Sequence, residues 1–413
     1  MNTGDTAFVL ISTALVMFMT PGLAFFYGGM VRRKNVLNTI MSSFFIIGLA
    51  SVMWVLIGYT MSFGKDIGGV VGNFQWFGFN GVTWDPNSDY SATIPHNLFA
   101  AFQMMFAVIT PALITGALVE RMKFSALFLF IAAWSILVYY PLAHMMWGVG
   151  GVLRELGAVD FAGGNVVHIS SGVSALAASI ILGKRRGVGM TAYHPHNIPL
   201  VVLGAAVLWF GWFGFNAGSA LGANGLAVHA LMTTNTSAAS ALLSWMLIER
   251  IFRGKPTLLG AATGAVVGLV AITPGAGFVP IWASIVIGFV ASPLSYFALS
   301  TLKSKLGYDD ALDAFGCHGI GGIWGGIATG LFAKSSINAA AQWNGLAYGE
   351  THLFIAQLIS IAASILIALV GTSLVLFVLG RIMTIRVGQE DEAKGLDVSE
   401  HSESAYPAFQ GMD

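Results

Sequence analysis

Two histidines stand where an ionisable side chain is costly. His168 closes the run Asp160-Phe-Ala-Gly-Gly-Asn-Val-Val-His168, and His318 closes Asp310-Ala-Leu-Asp-Ala-Phe-Gly-Cys-His318. Each lies eight residues after an aspartate and at the head of a glycine-rich apolar stretch, and the two copies are offset by 150 residues for both residue types. An ionisable residue inside a membrane span is a functional candidate by default. Neutral imidazole has one donor and one acceptor nitrogen, so two rings in contact make a polar track that can hand on a proton near neutral pH. The alternative is structural: two neutral rings that satisfy each other and glue helices together.

Aromatic residues offer a second chemistry. Trp209, Phe210, Trp212, Phe213 and Phe215 crowd the run that ends at Ser219; Phe102 and Phe106 lie one helical turn apart, and Trp147 closes an apolar stretch. A tryptophan at a span boundary is an interfacial anchor. Beside a phenylalanine and a hydroxyl, it can also attract a small cation through its ring face. Motifs of soluble catalysis (GxSxG, HExxH, CxxC, a Walker loop) are missing, so no enzyme activity and no cofactor are expected. His194-Pro-His196 is the nearest approach to a metal pair and lacks a third ligand.

The elements that must position these groups follow from composition. Apolar residues make up 56% of the 413 and charged residues 9%, with a mean hydropathy of +0.77; a soluble domain carries roughly 25% charged residues. Nineteen Lys and Arg balance nineteen Asp and Glu, which leaves no basic face for nucleic acid. The single Cys317 excludes a disulfide scaffold. Apolar runs of the roughly 20 residues that a helix needs to span a bilayer recur at 7–30, 38–63, 96–119, 124–148, 163–183, 197–220, 227–249, 258–274, 279–301, 314–333 and 353–380. The first of these lacks the basic opening of a signal peptide and is too long for one. The chain therefore reads as an all-α polytopic membrane protein of eleven transmembrane helices, its apolar faces against lipid. Unbroken apolar runs exclude a β-barrel, whose strands alternate.

Basic residues set the orientation. One set of connections, with the tail, holds sixteen of the nineteen; the other holds only Lys65, Arg154 and Lys334. By the positive-inside rule the first set is cytoplasmic, the N-terminus is outside, and the acidic tail at 387–413 is inside. The Asp–His pairs fall in the fifth and tenth spans, so a five-span unit is repeated with opposite orientation. The repeats run over about 7–183 and 197–333, with an extra helix at about 353–380, together a membrane domain at 1–386. Inverted repeats place a solute path at their interface near the midplane. Gly214/Gly218/Gly222, Gly260/Gly264/Gly268 and Gly322/Gly326/Gly330 form ladders that let helices approach closely.

Six stretches, in order along nearly the whole chain, resemble the ammonium transporter family (the Amt branch of the Amt/Rh superfamily). They are Phe26-Tyr-Gly-Gly-Met-Val-Arg-Arg-Lys-Asn35, Gly116-Ala-Leu-Val-Glu-Arg121, the run Asp160 to His168, Gly211-Trp-Phe-Gly-Phe-Asn-Ala-Gly-Ser219, Gly254-Lys-Pro-Thr-Leu-Leu-Gly260 and Asp313-Ala-Phe-Gly-Cys-His-Gly-Ile-Gly-Gly322. The resemblance implies uptake of ammonium or methylammonium across the cytoplasmic membrane, by a homotrimer with one pore in each subunit. It makes Phe106, Trp147 and Ser219 an outer recruiting vestibule and Phe106 with Phe215 its stacked gate. His168 and His318 become the twin pore histidines and Trp212 a pore wall. Asp160 supports the vestibule from behind or, on the plainer reading, caps the fifth helix. The tail from Gly395 to Tyr406 resembles a regulatory segment that contacts PII-type signalling proteins. The rival readings are a membrane-embedded ammonium sensor or scaffold with little flux, an Rh-type gas channel, and, more remotely, an intramembrane enzyme.

Overall fold

In hydrocarbon every main-chain N–H and C=O must find a partner within the protein, and a helix meets this demand inside its own segment. The apolar runs accordingly fold into helices. The computed structural model describes residues 1–190 and 193–406. Its long rods are α1 (Thr3–Met30), α2 (Arg33–Phe63), α3 (His96–Leu118), α4 (124–147), α5 (Gly164–Leu182) and α6 (Ile198–Ala217). They continue with α7 (Gly225–Arg253), α8 (Leu258–Ile272), α9 (Ile281–Leu306), α10 (315–332) and α11 (His352–Ile382). A rod occupies each apolar run to within a few residues. The eight helices long and apolar enough to cross a membrane correspond to α1–α6, α9 and α11.

Local signals set the boundaries. Asn2, Asn197, Asn224 and Thr257 cap α1, α6, α7 and α8 by accepting a main-chain N–H three residues on. Gly254, with φ of 80°, ends α7. The helical expectation missed two small hairpins between α2 and α3: β1 (Asp66–Ile67) with β2 (Val71–Gly72), and β3 (Pro86–Asn87) with β4 (Ser91–Pro95). Strands of two to five residues carry too little alternation to be read from a sequence.

Packing follows the small residues. The ladder at Gly214 and Gly218 lies on Leu15 and Ser12 of α1, that at Gly264 and Gly268 on Trp245 and Ala241 of α7, and that at Gly326 and Gly330 on Ile361 and Phe354 of α11. A close crossing joins α5 to α10, where a Cβ on Gly172 would lie 2.1 Å from the main-chain nitrogen of Gly319. Arg185, just past the end of α5, binds Asp309, just before α10. The two helices therefore run in opposite directions, each bringing its histidine to the crossing.

The basic loops gather at one end of the bundle. Glu120, almost fully buried, accepts from Arg32 at 2.9 Å and Arg185 at 3.1 Å, while Asp309 pairs with Arg185 at 2.9 Å and Arg121 at 3.3 Å. Burial alone would raise both carboxyls, but the guanidinium partners win: Glu120 is held below its usual range, and Asp309 falls to about 2. Tyr193 lies between the guanidinium groups of Arg32 and Arg185, each 4.6 Å from its ring centre. The tail docks beside this cluster through α12 (Gln389–Lys394) and α13 (Leu396–His401). Asp397 accepts the N–H of Asn38 at 2.8 Å at the start of α2, Glu400 accepts that of Phe124 at the start of α4, and Glu392 pairs with Arg386 at 2.9 Å. Carboxylates at helix N-termini complement the helix dipole. The end of the acidic tail, including Asp413, lies outside the described residues.

Candidate functional site

The histidines meet. Nδ1 of His168 lies 3.3 Å from Nδ1 of His318, and the rings stack at 17° with centroids 5.3 Å apart. Both are buried, at 1% and 4% exposure. Each sits in a π-helical turn, Gly164–Ile169 and Phe315–Gly319. Such turns widen the helix locally and recur at functional sites. An Nδ1-to-Nδ1 contact makes one ring the donor and the other the acceptor. Their Nε2 atoms are then opposite in character, one a bare acceptor and the other an N–H. Nε2 of His168 has no protein partner among the described residues.

The aromatic candidates form an unbroken chain of ring contacts leading to that pair. Trp147 meets Phe106 edge-on at 6.0 Å; Phe106 and Phe215 lie 4.3 Å apart at 33°; Phe215 lies 6.1 Å from His168, and Trp212 stacks on His168 at 5.4 Å and 18°. A third π-helical turn, Phe213–Ala217, carries Phe215. Ser219, one turn on and half-buried, donates its hydroxyl to the carbonyl of Phe215 at 2.8 Å, which leaves the oxygen lone pairs free to accept. The Trp212 indole is fixed by Thr273 Oγ1 at 2.9 Å.

Asp160 is buried and accepts four main-chain N–H groups: Gly163 and Gly164 on Oδ1, at 2.8 and 2.6 Å, and Asn165 and Val166 on Oδ2, at 2.8 and 3.2 Å. Its own carbonyl receives the Trp147 indole N–H at 2.9 Å. It thus caps the start of α5 and holds the Trp147 indole from behind. Asp310, its counterpart, accepts the N–H of Phe315 at 2.7 Å.

Beside Phe215 and the histidine pair lies a cavity of about 10 Å³. That is room for about one water-sized molecule. Its walls are apolar (Leu208, Val266, Phe26) apart from the histidines and Trp212. A larger cavity, about 610 Å³, shares Phe26 and reaches Cys317, next to His318, at the end of the bundle with the basic loops. His196 is engaged by the Val31 carbonyl and the Tyr406 hydroxyl. Among the described residues no cluster of three or more His, Cys, Asp or Glu could hold a metal.

The Ammonium Transporter Family model matches residues 7–406. The chain belongs to the ammonium transporter family. It is 52% identical over 406 residues to the ammonium transporter of Bacillus subtilis, covering 98% of this chain and 99% of that one. Ammonium transporter Amt1 of Archaeoglobus fulgidus is 46% identical, with 98% and 100% covered. The crystal structure of Saccharomyces cerevisiae Mep2 superposes with a TM-score of 0.88 at 35% identity, covering 94% of this chain and 88% of that one. A structure titled Sensor Amt Protein gives the same TM-score at 28% identity, with 96% and 98% covered.

This member of the family is thus a multi-pass membrane protein with a transporter's architecture. Sequence reasoning missed Thr273, which fixes the Trp212 indole from another helix, because a lone threonine at a helix end carries no pattern. Phe26 was quoted in a motif without a role; it lines both cavities.

Proposed function

We propose that this transporter takes up ammonium by capturing the cation at an outer vestibule of Phe106, Trp147 and Ser219. The cation gives up its proton at the Phe106–Phe215 gate, to water of the vestibule or to the bare ring nitrogen of the histidine pair, and neutral ammonia passes along His168 and His318, beside Trp212. The observation that carries this reading is the stacked histidine pair in an otherwise apolar cavity with room for one small molecule. A bare monovalent cation at that depth costs several kcal/mol or more. Two neutral rings solvate it poorly. Ammonia, by contrast, donates to the bare Nε2 of one ring and accepts from the N–H of the other. Potassium has no proton to lose and no such route.

On this reading all eleven rods cross the cytoplasmic membrane, with residues 1–386 as the transport domain and the segment from 387 as a cytoplasmic tail. The basic loops face inward and the N-terminus outward. Two inverted five-helix repeats account for the antiparallel α5 and α10. Three copies assemble with a pore in each, and the docked tail offers a PII-type protein its surface. Uptake of methylammonium into proteoliposomes, with current recorded, tests the function. Tight ammonium binding without flux would instead favour a sensor, a reading prompted by the similarity to the Sensor Amt Protein.

Orientation has its own test. With Cys317 replaced, a cysteine at Lys334 should react with an impermeant maleimide applied outside, and one at Arg186 should not. Equal labelling would overturn the arrangement. The vestibule predicts that Trp147→Leu weakens cation capture by about 0.5–2 kcal/mol, a roughly two- to thirtyfold rise in the half-saturating ammonium concentration. An unchanged value would return Trp147 to the interfacial belt.

A further inference from the structure

His144 lies on α4 one turn before Trp147 and is fully buried. Its two ring nitrogens each face an acceptor. Nδ1 is 3.1 Å from the carbonyl of Ser62, at the end of α2, and Nε2 is 2.9 Å from Oδ1 of Asp66, which opens the β1–β2 hairpin. A carbonyl and a carboxylate offer only lone pairs, so a ring nitrogen binds either of them by donating its N–H. The hydrogen bond from His144, helped by the Gly69 N–H, holds the Asp66 carboxyl below the usual range.

The pair is the first link in a closed circuit around the end of α4. The Asp66 carboxylate also receives the Gly69 N–H at 2.7 Å, and the Gly69 carbonyl receives the Val152 N–H at 2.9 Å. Two residues on, Arg154 donates to the Trp147 carbonyl at 2.8 Å. The connecting loop folds directly onto the pair. A Cβ on Gly148 would lie 2.5 Å from Nδ1 of His144, and one on Gly150 2.7 Å from the Cβ of Asp66. Trp147 is therefore held at its main chain by this circuit and at its indole by Asp160.

We infer that His144, paired with Asp66, is a positioning residue for cation capture: it clamps the hairpin to α4 and so fixes the plane and height of the Trp147 ring. The inference rests on the reading of Trp147 as part of the vestibule. A ring–cation attraction depends on the cation sitting over the ring face, so a loosened ring loses affinity while the pore beyond it is untouched.

The test is a cycle of variants of the full-length transporter in proteoliposomes, read as methylammonium KM and maximal rate, with melting temperature alongside. His144→Phe and Asp66→Ala should each raise KM about three- to tenfold, part of the full cation–π effect, with the maximal rate within about twofold. In the double variant His144→Phe/Trp147→Leu, KM should be no higher than in Trp147→Leu alone, because a residue acting through the ring has nothing left to act on. Multiplying effects, or a lower maximal rate at unchanged KM, would overturn the inference in favour of a role in stability. Unchanged KM in His144→Phe beside a raised KM in Trp147→Leu would do the same. If Trp147→Leu itself left KM alone, the vestibule reading would fall first. Should His144→Phe not fold, Asp66→Ala, on the partly exposed side of the pair, completes the same cycle.

Discussion

Asp160→Ala is expected to abolish uptake and to destabilise the transporter by at least about 4 kcal/mol, since removing an acceptor leaves each of four buried donors with a penalty of about 1–3 kcal/mol. Four main-chain N–H groups lose their acceptor in this variant. They belong to the π-helical turn that carries His168, and the carbonyl of the same residue holds the Trp147 indole. One substitution thus strikes both the pore ring and the vestibule ring. Asp160→Asn keeps one acceptor oxygen and turns an amide N–H₂ toward two donors, so its loss should be intermediate. The repeat supplies a control. Asp310 accepts the Phe315 N–H, and its other oxygen has no protein partner among the described residues. Asp310→Ala should therefore cost less than half as much, read as the fall in melting temperature in detergent. Equal losses at the two positions would mean that the capping bonds do not set the stability, and a fully active Asp160→Ala would remove this residue from the transport site.

The sequence disclosed those features that one helix can encode. Each long rod follows a predominantly apolar stretch, and Asn197, Asn224 and Thr257 mark helix starts by side-chain chemistry that needs no neighbour. The histidine pair was legible through the repeat, because Asp160 to His168 and Asp310 to His318 share one spacing. Features requiring two distant segments were not. The Nδ1-to-Nδ1 contact depends on how closely Gly172 lets α5 approach Gly319, a distance that no ladder of glycines specifies. The buried cluster of Glu120, Arg185 and Asp309 joins three connections far apart in the chain. The sequence reading counted its arginines only as topology signals, but Arg121 and Arg185 also bind loops to one another. Removing Asp309 would take the carboxylate from Arg121 and leave Arg185 with Glu120. The roles proposed for Trp147 and Ser219 come from resemblance to the family. Geometry adds that Trp147 begins a chain of ring contacts that ends at His318.

His168→Asp should turn a transporter that discriminates against potassium into one that passes it. Among the described residues, the only polar side chains lining the narrow cavity are the two imidazoles and the Trp212 indole, and that indole is already committed to Thr273. A desolvated potassium ion finds no charge there to offset its lost hydration. An aspartate removes the bulk of a ring and sets a carboxylate beside His318, admitting water where the ring had excluded it. A carboxylate attracts a monovalent cation 4 Å away by about 4 kcal/mol at an effective dielectric of 20, which corresponds to a nearly thousandfold gain in occupancy. The ammonium ion gains equally and no longer needs to shed its proton, so its current should rise while its advantage over potassium disappears. Repeat symmetry extends the expectation to His318→Glu. If the rings only glue α5 to α10, the same variants should lose stability and keep selectivity. Potassium-driven current and ammonium uptake, measured on folded protein in liposomes, separate the two cases. Continued rejection of potassium by both variants, with ammonium transport intact, would move the histidines off the conduction path. A potassium current in His168→Asp alone would place the selective step at His168, between Phe215 and His318.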